Sequence, residues 1–296
     1  MKSLFPYLQL MRPANIITAM TNVASGFIAS SYFLNTTKFL DYNNLGYLLI
    51  VTIGLYGGGV VFNDFFDSDI DAYERPNRPI PSGAVKKSHA LILGSVLFIS
   101  ALLVAFKMSV PGFIISIIIC LLCFVYNTKT KHKGWLGGIT LGLCRGLNLL
   151  LGTTTIHSGI VNLWPLSFIP FGLTVAITSI SQVEVEGASR IKLLSSIWFF
   201  LLTLLTFIVL IDFYGNLFKT SFLFLGLFIS INFFYLYNAL QNPIPINVQK
   251  VVKWGVLSFI VLDAAIISSF SNFYSGFITL CLLPVCITLS KFFAVT

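Results

Sequence analysis

The chain has 296 residues, of which 56% are hydrophobic and only 9% are charged, and its mean hydropathy is +0.91. Soluble domains carry about 25% charged residues. The composition therefore excludes a water-soluble globular domain and indicates an integral membrane protein, with a formal net charge of +8 that has to be explained by its distribution.

Hydrophobic segments recur along the whole chain, and each is close to the roughly 20 apolar residues that a membrane-spanning helix needs. Runs such as IWFFLLTLLTFIVLI (197–211) lack the alternation of a barrel strand. The fold class we predict is all-α, a polytopic membrane helical bundle of nine or ten transmembrane helices around a central cavity, forming one domain over 1–296. The candidate spans are about 15–33, 45–64, 89–106, 110–127, 135–156, 163–181, 191–211, 220–240, 251–269 and 274–292.

Lysine and arginine predict the orientation, because they are enriched in cytoplasmic loops. With the N-terminus inside, the inner segments hold 14 of the 18 basic residues and the outer loops hold three, while Arg145 lies within a span. The positive charge is therefore a membrane-topology signal that requires no nucleic-acid partner. We expect no cleavable signal peptide, and a multi-pass protein of the bacterial plasma membrane whose N-terminus and active site are cytoplasmic.

The stretch NDFFDSDIDAYERPNRPIPSG (63–83) contains five of the ten carboxylates of the chain and directly follows the second span. If the helix continues to Asp71, then Asn63, Asp67 and Asp71 are spaced by four residues, and Asp64 precedes Asp67 by three. These four side chains share one face, whereas Asp69 points elsewhere.

Ionised carboxylates one turn apart repel each other near a low-dielectric boundary, and a divalent cation relieves that repulsion. Mg²⁺ prefers oxygen ligands and commonly bridges one or two carboxylates to phosphate oxygens. Arg75, Arg78, Lys86 and Lys87 follow at once, and they suit a diphosphate. The alternative is a solvated acidic loop that its own arginines neutralise.

These residues resemble the UbiA superfamily of intramembrane prenyltransferases, through N-D-x-x-D-x-x-x-D at an inner helix end and the R-P-x-R-P run after it. RPANIITA (12–19) and YNTKTK (126–131) are similar to further family segments. The resemblance implies a nine-span bundle in which two aspartate-rich motifs bind an isoprenyl diphosphate through Mg²⁺. It implies catalytic roles for Asp64, Asp67 and Asp71, metal ligation by Asn63, Asp64, Asp67, Asp71 and Glu184, and substrate binding by Arg12, Asn15, Asn63, Arg75, Arg78, Lys129, Arg145, Asn148 and Arg190.

The second aspartate-rich motif of the family is altered here to SISQVEVEGASR (179–190). Ser181, Glu184 and Ala188 take the places of three aspartates, so that Glu184 is the remaining metal ligand. Together with LGLCRGLNLLLG (141–152), this motif is similar to the branch of the superfamily called EboC. The implied function is transfer of an isoprenyl group from a Mg-bound diphosphate to an aromatic or lipid-like acceptor. The alternative is a non-catalytic carrier for a secondary metabolite or an isoprenoid.

Arg145 and Asn148 are three residues apart within an apolar span, so they share a face. An arginine in a span costs at least about 2.5 kcal/mol unless it is paired or solvated. The face must therefore look into the bundle. Two interpretations stay open, an anion site in the cavity and an ion pair with Asp263 of the ninth span.

Overall fold

The structure is a computed structural model that describes residues 4–33, 42–131, 133–156, 158–181, 190–214 and 218–293, with side chains for all of these except 190–192 and 218. Every regular element in the described part of the chain is helical. The helices are α1 Phe5–Met11, α2 Pro13–Phe33, α3 Tyr42–Glu74, α4 Lys87–Met108, α5 Val110–Val125, α6 Trp135–Gly152, α7 Gly159–Leu163, α8 Phe168–Ser181, α9 Arg190–Tyr214, α10 Phe218–Gln241, α11 Pro245–Phe270, α12 Phe273–Leu280 and α13 Leu282–Phe292.

Within the described ranges, ten helical segments are long and apolar enough to cross a membrane. Two pairs of consecutive helices are joined by very short connections, and in each pair a capping residue marks where the second helix begins. Ser109 separates α4 from α5, with extended backbone and a side chain that accepts a hydrogen bond from the amide of Gly112. Asn272 caps α12 in the same way, by accepting from Ser275. The predicted all-α polytopic bundle is confirmed, and ten spans are found.

The helix α3 carries the acidic stretch because it is much longer than a membrane span. Its 33 residues correspond to about 50 Å at 1.5 Å per residue, against a hydrocarbon core of about 30 Å. The apolar part accounts for the first two thirds of α3. Its last turns, which hold Asp67 and Asp71, therefore continue beyond the hydrophobic layer as an ordered helix.

The inner helices of the bundle are α2, α6, α8 and α11, which pack on one another, while α3, α4 and α5 form one flank and α9 and α10 the other. Most of α11 is buried, whereas the outer faces of α9 and α10 expose large apolar side chains such as Trp198 and Phe233. Such faces suit contact with lipid. The polar positions of the inner helices are consequently directed into the bundle.

The helices α2 and α6 approach so closely that their backbones touch through glycine. A Cβ atom at Gly26 would lie 2.0 Å from the carbonyl oxygen of Leu149, and one at Gly152 would lie 2.1 Å from that of Val23. Small residues at such crossings are typical of membrane helices. This contact places the polar residues of α6 directly against the backbone of α2.

Candidate active site

The end of α3 presents a row of polar side chains to one cavity. Asn63, Asp67, Asp71 and Glu74 line it, while Asp69 points away and is 87% exposed. Asp64 is buried behind this row and does not line the cavity itself. Because α3 continues as an α-helix to Glu74, residues spaced by four stand one above the other.

Each of the three clustered carboxylates is held by a basic side chain from another part of the chain. Arg12 donates to Asp64 at 2.7 Å, and Arg78 donates to Asp71 at 2.7 Å and to Asp64 at 3.3 Å. Asp67 pairs with Lys131. The electrostatic repulsion between neighbouring carboxylates is therefore balanced by cations at the charged end of the cavity.

The residues that follow α5 position Lys131. The segment Tyr126–Thr130 forms a π-helical turn, a local widening that is frequent at functional sites. It brings Lys131 to the cavity wall, whereas the side chain of Lys129 is exposed and does not line the cavity. The sequence analysis predicted Lys129 as a substrate ligand. The π-helical turn, which directs Lys131 and not Lys129 to the cavity, could not be predicted from the sequence.

The side-chain amide of Asn63 lies next to both members of the pair formed by Asp67 and Lys131. When its oxygen faces Lys131 Nζ at 2.9 Å and its nitrogen faces Asp67 Oδ2 at 3.3 Å, both atoms have a partner. In the opposite orientation of the amide, Asn63 Nδ2 donates to Asn127 Oδ1 at 2.9 Å. Asn127 is also in the π-helical turn, and its own amide nitrogen donates to the carbonyl oxygen of Cys123 at 2.9 Å. Asn127 is a site residue that the sequence analysis missed.

Burial and the charge of a neighbouring carboxylate act in opposite directions on the pKa values of Arg12 and Lys131, which both lie outside the spans. Burial lowers the pKa of Arg12, but the charge of Asp64 and the hydrogen bond to it outweigh burial, so the pKa is raised. For Lys131 burial is the larger influence. It lowers the pKa, assisted by Arg12 and Arg78 and opposed by Asp67.

The cavity has a volume of about 390 Å³ and carries an excess of positive charge. Its acidic lining residues are Asp67, Asp71 and Glu74. Its basic lining residues are Arg12, Arg75, Arg78, Lys131 and Arg145. A concave surface with an excess of one charge concentrates ligands of the opposite charge, so this cavity suits an anion together with a cation bound between the carboxylates.

Below the charged mouth the cavity wall is mainly apolar. It is formed by side chains of α3, α5, α8 and α11, among them Leu55, Ile119, Ile177, Val256 and Phe259. Asn15, near the start of α2, also lines the cavity and is buried. The cavity therefore joins a polar end to a space that is suitable for a hydrocarbon chain or an aromatic ring.

Arg145 and Asn148 both line the inner part of the cavity. Arg145 donates to the carbonyl oxygen of Thr18 at 2.7 Å, and its guanidinium lies 4.0 Å from the ring centre of Phe259. None of the ion pairs within the described residues involves Arg145. Its position agrees with the interpretation as a cavity residue.

Asp263 is fully buried in α11 and is bound by other donors. Thr21 donates to it at 2.7 Å, Asn22 at 3.3 Å and Ser25 at 3.4 Å. The carboxylate therefore reaches α2 instead of forming an ion pair with Arg145. Sequence reasoning left that pair open as an alternative, because Asp263 is an acid within the ninth predicted span.

The second acidic motif lies outside the described residues. Glu184 and its neighbours fall in 182–189, and the side chain of Arg190 is not described. The roles assigned to Glu184 and Arg190 stay predictions. In the described part of the chain no three Asp, Glu, His or Cys side chains are grouped closely enough to enclose a metal ion, because the carboxylates of α3 are turned toward cations.

Comparison with known families agrees with this combination of an acidic helix end and a membrane bundle. The sequence profile of the UbiA prenyltransferase family matches residues 23–254, which is more than half of the chain. The chain belongs to the UbiA prenyltransferase family. The match does not distinguish the EboC branch from the rest of the UbiA family, so that finer resemblance stays a prediction.

The curated relatives of this UbiA-family chain include archaeal enzymes. Digeranylgeranylglyceryl phosphate synthase of Methanosphaera stadtmanae is 25% identical over 275 residues, which cover 86% of this chain and 96% of the relative. The synthase of the same name from Sulfurisphaera tokodaii is 26% identical over 186 residues, which cover 63% of this chain and 64% of the relative. In the latter alignment the chain spans just under two thirds of the relative.

Solved structures share the fold of this chain. A structure from work on digeranylgeranylglyceryl phosphate synthase in membranes has a TM-score of 0.66 at 21% identity, covering 91% of this chain and 99% of the other. A UbiA homologue from Archaeoglobus fulgidus, bound to GPP and Mg²⁺, has a TM-score of 0.53 at 12% identity, covering 97% and 99%. At these identities the likeness is one of fold.

Proposed function

We propose that this chain is an integral membrane prenyltransferase, which moves an isoprenyl group from a diphosphate to a hydrophobic acceptor that is either aromatic or lipid-like. The observation that carries the proposal is the single cavity that joins the acidic end of α3, five basic side chains and an apolar interior. The GPP and Mg²⁺ bound to the Archaeoglobus fulgidus homologue support the class of substrate. The comparisons do not favour a non-catalytic carrier.

Mg²⁺ is the cofactor that we propose, and the chemistry of the donors fits it. Asp67 and Asp71 supply carboxylate oxygens and Asn63 an amide oxygen from one face of α3. Mg²⁺ is usually bound by one or two carboxylates together with phosphate oxygens and water. We propose these three residues as ligands, with Asp64 behind them and Glu184 as a contribution from the second motif.

When bound, Mg²⁺ would neutralise negative charge on the diphosphate. The basic residues of the chain act on the same group. Arg78 and Lys131 now bind the carboxylates, and they are free to turn to phosphate oxygens once those carboxylates hold a cation. Arginine suits this role because its planar guanidinium can form two parallel hydrogen bonds to phosphate. Arg75 and Arg12 line the same end.

In the proposed reaction, the bond between the allylic carbon and the diphosphate oxygen breaks, and its electron pair leaves with the diphosphate. The acceptor nucleophile forms a new bond to that carbon, and its proton passes to the departing diphosphate. The apolar wall below the mouth excludes water from the allylic cation, and an aromatic face such as that of Tyr56 can stabilise the cation.

We propose that the diphosphate end faces the cytosol and that the chain acts as one domain in the plasma membrane. The excess of lysine and arginine in the segments at this end supports that orientation. Arg12 before α2, Asp71 near the end of α3 and Lys131 after α5 all lie at the same end of the bundle.

The first test is binding of GPP to the purified full chain in lipid nanodiscs, with and without Mg²⁺. Asp67→Asn removes one carboxylate charge at nearly constant size, and we expect it to abolish the increase in GPP affinity that Mg²⁺ produces. Asp69→Asn is the matched control, since Asp69 is on the same helix but is 87% exposed. Wild-type behaviour of Asp67→Asn would contradict the metal site.

Turnover is measured separately, with radiolabelled isoprenyl diphosphates of several lengths and membrane extract as the source of acceptor. We expect a lipid-soluble labelled product with wild-type protein and Asp69→Asn, and none with Asp67→Asn. If GPP binds in a Mg²⁺-dependent manner and no labelled product forms with any chain length, transfer is refuted in favour of the carrier.

A further inference from the structure

The π-helical turn Tyr126–Thr130 ends in a wider hydrogen-bonded ring than an α-helix forms. The amide of Lys131 donates to the carbonyl oxygen of Tyr126 at 3.0 Å, five residues earlier, whereas in an α-helix the acceptor is four residues earlier. Turns of this kind are rare. Contacts made by its side chains are therefore expected to hold the turn in this form.

The first part of the turn is tied to α5 and its last part to α6. Asn127 donates to the carbonyl oxygen of Cys123 at 2.9 Å. At the other end, the hydroxyl oxygens of Thr130 and Thr140 lie 3.0 Å apart. Thr140 already donates its only hydroxyl proton to the carbonyl oxygen of Leu136 at 2.7 Å, so Thr130 is the donor between the two threonines. Thr140 therefore supplies an acceptor that holds the end of the turn.

The pair formed by Thr130 and Thr140 lies next to the cavity but is not part of its wall. Neither threonine is among the lining residues, and Thr140 is 6% exposed. Thr130 directly precedes Lys131, whose side chain lines the cavity and pairs with Asp67. The hydrogen bond from Thr130 to Thr140 therefore fixes the backbone at the point from which Lys131 reaches Asp67.

Loss of this hydrogen bond favours the ordinary α-helical form of the turn. The π-helical form spans five residues between donor and acceptor instead of four. One residue corresponds to about 100° of rotation about a helix axis with 3.6 residues per turn, so Lys131 would be turned out of the cavity wall. The orientation of Lys131 consequently depends on Thr140, which belongs to a different helix.

We propose that Thr140 is a positioning residue for the prenyl diphosphate, acting through Thr130 and Lys131, which rests on the proposed function for the diphosphate itself. The turn held by Thr140 keeps the charge of Lys131 beside Asp67, where it is available to phosphate oxygens once that carboxylate binds Mg²⁺. A cation that is already oriented binds more tightly than one that must be ordered on binding, because less conformational entropy is lost.

The test measures GPP affinity with Mg²⁺ for the full chain in lipid nanodiscs. Thr140→Val keeps the shape of the side chain and removes the acceptor, and we expect it to weaken GPP binding by about fivefold, as for the loss of one hydrogen bond. Thr140→Ser keeps the hydroxyl and should bind GPP within twofold of wild type. Thr128→Val is the matched control and should also stay within twofold, because the exposed Thr128 of the same turn donates only to the carbonyl oxygen of Phe124.

A double-mutant cycle distinguishes positioning of Lys131 from a general loosening of the bundle. Thr140→Val should weaken GPP binding in wild type, but it should change the affinity by less than twofold in a Lys131→Gln background. Thr130→Val removes the donor at a half-buried position and should act like Thr140→Val, so the proposal stays testable if Thr140→Val does not fold. Wild-type affinity of both valine variants, or a full fivefold loss in the Lys131→Gln background, would overturn the proposal.

A second measurement on the same proteins needs no GPP. A water-soluble N-hydroxysuccinimide ester labels lysine amines, and peptide mass spectrometry gives the labelling rate of Lys131 relative to the exposed Lys107 of α4. The Lys131 side chain is 19% exposed beside Asp67. Thr140→Val should therefore raise its relative labelling rate severalfold, whereas Thr140→Ser and Thr128→Val should not.

The labelling result separates the two proposals. An unchanged labelling rate of Lys131 in Thr140→Val and Thr130→Val would overturn the positioning role. If labelling rises in these variants but GPP does not bind to wild type, the proposed function is refuted while the dependence of Lys131 on Thr140 is supported.

Discussion

The contact between α2 and α6 yields a prediction for Gly152→Ala. A Cβ atom at Gly152 would lie 2.1 Å from the carbonyl oxygen of Val23 and 2.7 Å from the amide nitrogen of Phe27. The first distance is about 1.3 Å short of ordinary van der Waals contact, which begins at 3.4 Å. Both neighbours are backbone atoms, so no change of rotamer relieves the overlap and the two helices must separate.

The expected cost follows from two opposing effects. Overpacking of a core destabilises a protein by about 1–3 kcal/mol, and the upper part of this range applies because backbone has to move. Alanine offsets about 1 kcal/mol through its better helix propensity. The separation also stretches the 2.7 Å hydrogen bond from Arg145 to Thr18 across this interface. We expect a net loss of about 1–2 kcal/mol in the free energy of unfolding.

The assay is thermal unfolding in nanodiscs, read by circular dichroism, with Gly226→Ala as the matched control. Gly226 lies in α10, and a Cβ atom there meets nothing within 4 Å. Gly152→Ala should lower the Tm by several degrees, whereas Gly226→Ala should leave it unchanged or raise it slightly. Equal Tm values for the two variants would refute the reasoning about backbone contact.

Three further predictions concern buried charge. Because burial lowers the pKa of Lys131, its positive charge is lost as pH rises toward the ordinary lysine value of 10.5, so GPP affinity should fall in that alkaline range. Lys131→Arg should keep the GPP affinity there. Identical pH profiles of GPP affinity for wild type and Lys131→Arg would contradict the assignment of Lys131 to the diphosphate end. The same linkage means that the stability penalty of burying charged Lys131 is fully present below its lowered pKa, falls as the pH rises above that value, and is gone above the ordinary lysine value of 10.5. Asp263→Ala removes the acceptor of the Asn22 side-chain amide, at about 1–3 kcal/mol, whereas the hydroxyls of Thr21 and Ser25 keep the carbonyl oxygens of Thr18 and Asn22 as acceptors. The Tm should therefore fall while GPP affinity stays within twofold; lost affinity at normal Tm would place Asp263 in the binding site. Arg78→Gln removes the cation shared by Asp64 and Asp71, and GPP affinity should fall at least tenfold in titrations with Mg²⁺, whereas unchanged affinity would exclude Arg78 from the diphosphate end.

Local spacing predicted most of the acidic face of α3, although Asp64, which was expected on the same face, is buried behind it and does not line the cavity. Asn63, Asp67 and Asp71 line one cavity and Asp69 turns away, because a helix of 3.6 residues per turn leaves no other arrangement. Of the partners of these carboxylates, Arg78 could be anticipated, because it follows in the same stretch and binds Asp64 and Asp71, but the others could not. Arg12 and Lys131 are 52 and 64 residues from the acids that they bind, and no local rule links positions so far apart.

The inner end of the cavity illustrates the same limit. The sequence indicated that Arg145 must face the interior, but it left two destinations open, an anion site and a pair with Asp263. In the described residues no ion-pair contact joins Arg145 to Asp263, which is bound by three donors of α2. The anion site stays a prediction. Phe259, one turn before Asp263 on α11, instead covers the guanidinium.

Composition and periodicity by themselves determined that this chain is an all-helical membrane protein with an acidic helix end, since hydrophobicity and helical spacing are properties of contiguous residues. Only the tertiary structure decided which cations meet which carboxylates, which lysine of the YNTKTK segment lines the cavity, and that no ion-pair contact joins Arg145 to Asp263 in the described residues. Those relations depend on how α2, α3, α6 and α11 pack, and the backbone contact at Gly26 and Gly152 is possible only when both helices carry glycine.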